Sequence, residues 1–463
     1  MRHTAWRTVI AAALTLGSAA LIPAGTATAA ATHGRAARSP ATAAGGTKLW
    51  LAHYDAGGRG ASGVAVAASP SGSVVFVTGL AYRKTKTGVT NETATVAYNA
   101  TTGARLWLAQ YSPAGAGPNK PAAIAVSPDG STVFVTGSTL SAGGASSYLT
   151  IAYNAATGAR DWVDNSGVTG GGRAVTTSPD GSTVFVTGAP GVFGSPDTVA
   201  LSAATGATLW KASIDSDGVG LATSPDGSTV FVAGAVTASS GLVVAAYNAA
   251  TGAKLWAVTP GLAPAALAVS PSGSTVFVTG SGVTAKNVHY YSTTAYSAAN
   301  GASIWNRRLT SRYGNSTAIA LAVSPSGSTV FVTGTTAGPS PTNGYGTVAY
   351  DAASGATVWT RTVFPNPHDS NRATAIAVSP DGSKVFVTGM IAKQFNSFGT
   401  VAYAAGTGVK LWTATHHGPS AAGSFATSIA VSPDSSMVFV TGATGTGNPT
   451  PPTVIQDTVA YQS

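Results

Sequence analysis

The chain has 463 residues, including 57 glycines and no cysteine, and only 8% of its side chains are charged, against about a quarter in ordinary domains. Without cysteine there are no disulfides and no thiolate metal centres. The formal charge of +9 is thinly spread, the densest clusters being Arg83-Lys84-Thr85-Lys86 and Arg307-Arg308 with Arg312. A nucleic-acid binder gathers its cations on one stripe, so nucleic acid is not the expected partner, whereas a weakly basic surface tolerates anionic cell-wall polymers.

Taken in order, the chain opens with Arg2 and Arg7, the apolar run Val9 to Ile22 and Ala27-Thr28-Ala29 before Ala30, the three regions of a secretory signal peptide. Cleavage after Ala29 or Ala31 would leave 22 basic and 15 acidic residues in an exported chain. The run is too short to span a bilayer, and no later stretch of about twenty apolar residues follows it. Residues 1–31 therefore read as signal, 32–46 as a flexible linker without periodic apolar pattern, and 47–463 as one domain.

From there an eleven-residue phrase recurs, seen in full at Ser127 to Gly137 and beginning at Ser69, Ser127, Ser178, Ser224, Ser270, Ser324, Ser379 and Ser432. Such recurrence marks a repeat architecture whose units stack to bury apolar faces. Within one unit, Ala123-Ile124-Ala125-Val126 is a strand, A, ending where Pro128-Asp129-Gly130 supplies turn chemistry. Thr132-Val133-Phe134-Val135-Thr136 is strand B, closed by Gly137. Thr150-Ile151-Ala152-Tyr153 is strand C, and a second turn, Asn154 to Ala159, leads to Trp162 on strand D. No stretch has capped helical periodicity, so the class is all-β.

Four short antiparallel strands with near-continuous apolar character fit a propeller blade covered on both faces. Trp50, Trp107, Trp162, Trp210, Trp256, Trp305, Trp359 and Trp412 occupy the D position and are expected to wedge between blades. Eight A and B phrases, eight C strands and eight D tryptophans predict eight blades. Because the first D strand precedes the first A, the N-terminal strand should complete the C-terminal blade and cover both edges. Seven blades plus an extra hairpin is the alternative.

The spacing separates two faces. From each phrase's serine to the closing glycine is always ten positions, and from the last C residue to the next tryptophan always nine. The B-C and D-A connections vary in length. Insertions confined to one face mark a binding face, so a ligand is expected on the B-C and D-A loops.

The segment Ala97-Tyr98-Asn99-Ala100-Thr101-Thr102-Gly103-Ala104-Arg105-Leu106-Trp107 resembles the tryptophan-docking repeat of pyrroloquinoline-quinone-type propellers, and Ser-Pro-Asp-Gly-Ser-x-Val-Phe-Val-Thr-Gly is similar to the YVTN-type repeat. Asn99, Asn154 and Asn248 replace the docking aspartate of that pattern, while Asp351 keeps it and Ser354 replaces the threonine. The resemblance covers nearly everything after Thr47 and implies a propeller, not a reaction. Quinoprotein dehydrogenases of this type use a catalytic aspartate, calcium ligands and often a cysteine pair. This chain has no cysteine and one glutamate, Glu92, and Asp129, Asp180, Asp226, Asp381 and Asp434 belong to turns, so no cofactor is expected. Asp215-Ser216-Asp217-Gly218 lacks the later ligands of a calcium loop, and no metal is expected there.

The residues that break the repeat are the binding candidates. His53-Tyr54-Asp55 and His416-His417 follow Trp50 and Trp412 on the D-A connections flanking blade one, and can meet there. His289-Tyr290 lies in a B-C loop, and Arg307-Arg308 with Arg312-Tyr313 in the next D-A stretch. The leading reading is a secreted, monomeric, non-catalytic scaffold for a protein or an extracellular glycan. A polysaccharide lyase or glycosidase is the alternative, though no acid and base carboxylate pair stands out.

Overall fold

Val133, Phe134 and Val135 are consecutive in one strand, so their side chains point to opposite faces of the sheet, yet all are buried. Only a strand covered on both sides satisfies that pattern, and burial of each such side chain contributes about 1.5–3 kcal/mol. The computed structural model describes residues 44–85, 88–113, 117–141, 143–164, 167–191, 197–214, 216–235, 242–339, 342–364, 371–392, 396–418, 423–446 and 454–463. The signal segment and most of the proposed linker lie outside the described residues.

The second blade shows the unit, with A at Asn119–Val126, B at Thr132–Leu140, C at Ser146–Asn154 and D at Arg160–Asp164, antiparallel and in that order. Eight such four-stranded sheets form the molecule, with no helix among the described residues. In the eighth, strands Ser424–Val431, Met437–Gly445 and Val454–Gln462 are completed by Lys48–Tyr54 from the N-terminal end. The one-plus-three closure is thus present, and the seven-bladed alternative is set aside. Each A strand meets the next around the ring, eighth to first included, so A is innermost and D forms the rim.

Gly137 does not end strand B, which continues to Leu140. Strand A carries a bulge between Pro121 and Ala123, and a Cβ on Gly137 would strike the Lys120 carbonyl. Close backbone approach, not strand termination, requires glycine there. The same collision with strand A backbone would occur at Gly79, Gly188, Gly280, Gly334, Gly389 and Gly442. Part of the apparent loop length is therefore extended hairpin, most of all in blade one, where B and C pair out to Thr85 and Gly88.

A second bulge aims the tryptophans. On every D strand the residue before the tryptophan is skipped in the pairing, as Leu106 is between Arg105 and Trp107. The bulge turns the indole into the cleft between blades and leaves the skipped residue outside; Leu106 is 51% exposed. Trp107 lies between Phe76 of its own blade and Tyr153 of the next, with centroids 5.8 and 6.3 Å away. Its Nε1 donates to the Ala155 carbonyl at 2.9 Å, at the start of the next blade's C-D turn. The equivalent bond forms from Trp50, Trp162, Trp210, Trp256, Trp305 and Trp359. Gly158, at φ 72°, lies against the Trp107 ring where a Cβ would overlap it, which explains the glycine of each Thr-Gly pair.

Trp412 closes the ring differently. The C-D turn that should receive it is assembled from two chain segments, joined by Gly46 N to the Gln462 carbonyl and Gln462 N to the Thr47 carbonyl, each at 2.8 Å. Gly45 and Gly46 pack against its indole, so the folded ring includes residues ahead of Thr47. Its Nε1 has no hydrogen-bond partner among the described residues.

The A-B turns make a second ring. In the second blade's turn Ser127 Oγ donates to Asp129 Oδ1 and accepts from Thr132 N. A Cβ on Gly130 would press on Pro70 of the preceding blade, and the same proline-glycine contact links Gly72 to Pro433, Gly181 to Pro128, Gly227 to Pro179, Gly273 to Pro225, Gly327 to Pro271 and Gly382 to Pro325. Each turn thus leans on its neighbour. Because the wedge carries interblade packing and the skipped residue does not, Trp107→Ala is expected to cost about 3–5 kcal/mol and Leu106→Ala less than about 0.5 kcal/mol, measured by urea unfolding of the mature chain.

Candidate functional site

Antiparallel order puts the A-B and C-D turns on one face and the B-C and D-A connections on the other. The first face is occupied by interblade joinery, the proline-glycine ring and the turns that receive the tryptophans. The candidate residues divide over the ring into two groups.

The first group lies at the closing blade. His53 and His416 are the penultimate residue of one D strand and the last residue of another, not loop residues; His53 belongs to blade eight and His416 to blade seven beside it, so they do not flank blade one. Asp457 on strand C of blade eight joins them: His53 Nδ1 contacts Oδ1 at 2.5 Å and His416 Nε2 contacts Oδ2 at 2.7 Å. The carboxylate is fully buried and His416 nearly so, whereas the His53 side chain is 52% exposed. Burial opposes ionisation of Asp457, but hydrogen bonding, from His416 first of all, outweighs it and holds the carboxyl below its usual range. His416 also stands edge-on to Phe398 with centroids 5.2 Å apart.

Elsewhere in the ring a tyrosine performs this joining. Tyr148, Tyr291 and Tyr345 each donate a hydroxyl to a strand C carbonyl of the following blade, on Asp197, Gly346 and Gly399. Phe398 occupies the same register in blade seven and has no hydroxyl, so His416 and Asp457 supply the polar link between blades seven and eight. His417 Nδ1 and Ser397 Oγ share a hydrogen bond of 2.5 Å within blade seven. Tyr54 faces the other way, into blade one, where Gln110 Nε2 bonds its hydroxyl at 3.0 Å and Glu92 Oε1 at 2.6 Å. Burial, and then the Glu92 charge, push the Tyr54 hydroxyl up to about 12. Burial likewise raises Glu92, opposed by Arg83 with Nε 3.4 Å from Oε2. Asp55 accepts from Gly57 N in an exposed turn. Of this group His53, Asp55 and His417 face solvent, whereas Tyr54 and His416 are buried.

The second group lies on blade five. Adjacent strand residues point to opposite faces, and Arg307 and Arg308 separate accordingly. Arg307 belongs to the fixed face: its Nε and Nη2 donate to the Gly355 and Ser354 carbonyls, both at 2.8 Å, clamping the next C-D turn. Arg361 does the same to Gly408 and Thr407. Arg308 instead lies over the Tyr290 ring, 4.9 Å from its centroid, and Arg312 over Tyr313 at 4.6 Å. His289 begins strand C of this blade, and its backbone N–H donates to Asn315 Oδ1 at 2.9 Å, bringing the B-C hairpin to the D-A connection. His289, Tyr290, Arg308, Arg312 and Tyr313 thus form one patch, from which Arg307 is excluded.

Asp457, Gln110 and Arg361 are the participants that repeat reading did not single out. Asp457 was detectable in principle, because Asp457-Thr458-Val459-Ala460-Tyr461 matches Gly399-Thr400-Val401-Ala402-Tyr403 with a buried charge in place of glycine. Asp197 sits in the same phrase and is satisfied locally, by Thr198 Oγ1, Ser213 Oγ and Ile214 N. Between blades two and three a depression of ≈ 350 Å³ is lined by Lys120, Ser138, Ser146 and Arg173, the last paired with Asp217 at 3.0 Å. Among the described residues the carboxylates are dispersed among separate partners, and no group of three His, Asp or Glu is arranged to hold a metal.

A family model described as "Outer membrane protein assembly factor BamB" matches residues 147–372 and 292–447. The solved structure of Sqt1 from Chaetomium thermophilum is similar at 12% identity and TM-score 0.59, covering 90% of this chain and 98% of that one. BamB from Moraxella catarrhalis is similar at 14% identity and TM-score 0.51, over 90% of this chain and 99% of that one. Quinohemoprotein alcohol dehydrogenase from Comamonas testosteroni follows at 14% identity and TM-score 0.53, over 89% and 76%. At these identities the structural likeness concerns the fold alone. No curated protein sequence gives a significant match.

The Asp457 link has a pH signature. A carboxyl held below its usual range stabilises the fold from neutral pH down to about 4, and that contribution is lost as pH falls through the lower folded-state value. Asp457→Asn should therefore lose about 1–3 kcal/mol at neutral pH and show a smaller further loss on acidification than the natural chain, measured by urea unfolding across a pH series.

Proposed function

Because this chain belongs to the propeller family described as outer membrane protein assembly factor BamB, we propose that it is an exported, non-catalytic scaffold that binds a protein partner on its B-C and D-A face. The observation that carries this reading is the division of labour between the faces. Every fixed-length turn is occupied by contacts between blades, while the opposite connections differ from blade to blade and present their own side chains. Val89 and Val283 are exposed there at 70% and 50%, with Phe425 at the entry to strand A of blade eight. Scattered apolar side chains among polar ones suit a protein surface, and a second exposed set, the D-strand residues such as Leu106, Leu255 and Ile304, lies at the rim beside the C-D turns.

Binding is favoured over turnover by the way the titratable groups are used. His416 and Asp457 join two blades, Glu92 pairs with Arg83 and Gln110, and the phrase aspartates hold turns. Export is part of the proposal and rests on the basic, apolar and small-residue succession of the first segment. The secreted chain is expected to begin at Ala30 or Thr32, read from the intact mass of material recovered from medium or envelope.

The face assignment is tested by retention of envelope proteins on the immobilised mature chain. Among Val89→Asp, Val283→Asp and Phe425→Asp, at least one should reduce retention about tenfold or more. Ser272→Asp and Ser326→Asp, which copy the turn residue of other blades, should leave it unchanged. The opposite pattern would reject the assignment, and turnover of a polysaccharide abolished by His53→Ala with folding retained would replace the scaffold by an enzyme.

A further inference from the structure

Residues 227–350 contain no aspartate or glutamate, although they run from strand B of blade four to strand C of blade six. The fold does not require that absence. The A-B turns of blades five and six carry Ser272 and Ser326 where five other copies carry aspartate, and the serine ladder Ser270, Ser272, Ser274 holds the turn with bonds of 3.0 and 2.8 Å. The same interval holds Lys254, Lys286, Arg307, Arg308 and Arg312. Arg307 is engaged by the Ser354 and Gly355 carbonyls. Lys254 opens strand D of blade four beside a C-D turn, so Lys286, Arg308 and Arg312 remain on the side of the B-C and D-A connections, and the described ion pairs involve none of them.

These cations stand on a built surface. Tyr290 is buried and forms the floor beneath Arg308. The B-C hairpin is held by Thr284 N to the Val288 carbonyl and Asn287 N to the Thr284 carbonyl, both at 2.9 Å, with Asn287 at φ 59°. The D-A connection is fixed by Ser311 Oγ to the Ala337 carbonyl at 2.7 Å and by Ala337 N to the Asn315 carbonyl at 3.1 Å. Beside the guanidinium groups, Val283 and Tyr313 are exposed at 50% and 45%. A rigid aromatic floor, fixed cations and two apolar side chains match a carboxylate-bearing chain that also carries apolar residues. Guanidinium groups bind carboxylates through paired donors, and a blade that carries no acid of its own adds no repulsion against them.

We propose that blade five's B-C and D-A surface binds an acidic segment of the protein partner, with Arg308, Arg312 and Lys286 receiving its carboxylates and Val283 and Tyr313 its apolar side chains. This deepens the scaffold reading above and rests on it. An acidic peptide is preferred to an anionic glycan because the exposed valine and tyrosine sit within the cationic patch.

The test uses the full mature chain and a fluorescein-labelled peptide of alternating glutamate and leucine, followed by anisotropy, with a glutamine-leucine peptide and a sulfated oligosaccharide as comparison probes. The glutamate peptide should bind, weaken with added salt, and lose about tenfold or more in affinity with Arg308→Glu/Arg312→Glu. Lys120→Glu, a reversal on the same face at blade two, should leave affinity unchanged, and unaltered melting temperatures would show that both variants fold. Equal affinity for the natural chain and the double variant, or binding of the sulfated oligosaccharide alone, overturns the proposal. If envelope partners are retained equally by the natural chain and the double variant, blade five is wrong while the scaffold stands; if none is retained by any form, the scaffold reading itself fails.

Discussion

The ring depends on one repeated contact, an indole turned by a β-bulge into the cleft between blades and bonded to the first carbonyl of the next blade's C-D turn. Each tryptophan buries a large apolar surface between a phenylalanine of its own blade and, at most interfaces, a tyrosine of the next. The contact therefore requires a glycine under the ring, a turn of constant length to present the carbonyl and a bulge to rotate the side chain. Those three requirements explain why the C-D turn never changes length. The proline-glycine ring imposes a similar constraint on the A-B turns. With both turn types committed on one face, change is tolerated only on the other.

The closing blade shows what that economy leaves unsatisfied. Where two chain segments replace a continuous turn, Trp412 packs as the others do but its Nε1 finds no acceptor among the described residues. At the same seam Phe398 replaces the joining tyrosine, and the buried Asp457 with His416 takes over the polar link. A buried charge is costly to leave unpaired, which makes this seam sensitive to acid in a way that the tyrosine-joined blades are not.

Repetition made the framework legible. Equal spacing of the phrases and tryptophans was enough to count eight blades, close the ring with the first strand and assign the turns to one face, because each is a backbone demand made in every copy. Single-copy features were harder. Gly137 reads as a strand end in the sequence because a close backbone approach leaves the same letter as a turn. Arg307 and Arg308 read as a pair in the sequence, whereas strand alternation turns one toward the next blade's C-D turn and the other onto Tyr290 of its own blade. His53 and His416 meet at Asp457, a carboxylate some four hundred residues from His53 in sequence, on a strand that reads as one more copy.

If the repeated face builds the ring and the irregular face binds, a partner must protect the irregular face alone. Amide hydrogen exchange of the mature chain, free and with its retained partner, tests it most directly. Added protection is expected in B-C and D-A connections, foremost in residues 283–289 and 310–315 of blade five, with the Ser-Pro-Asp-Gly turns unchanged. Protection concentrated on those turns, with the opposite connections unaffected, would contradict the account.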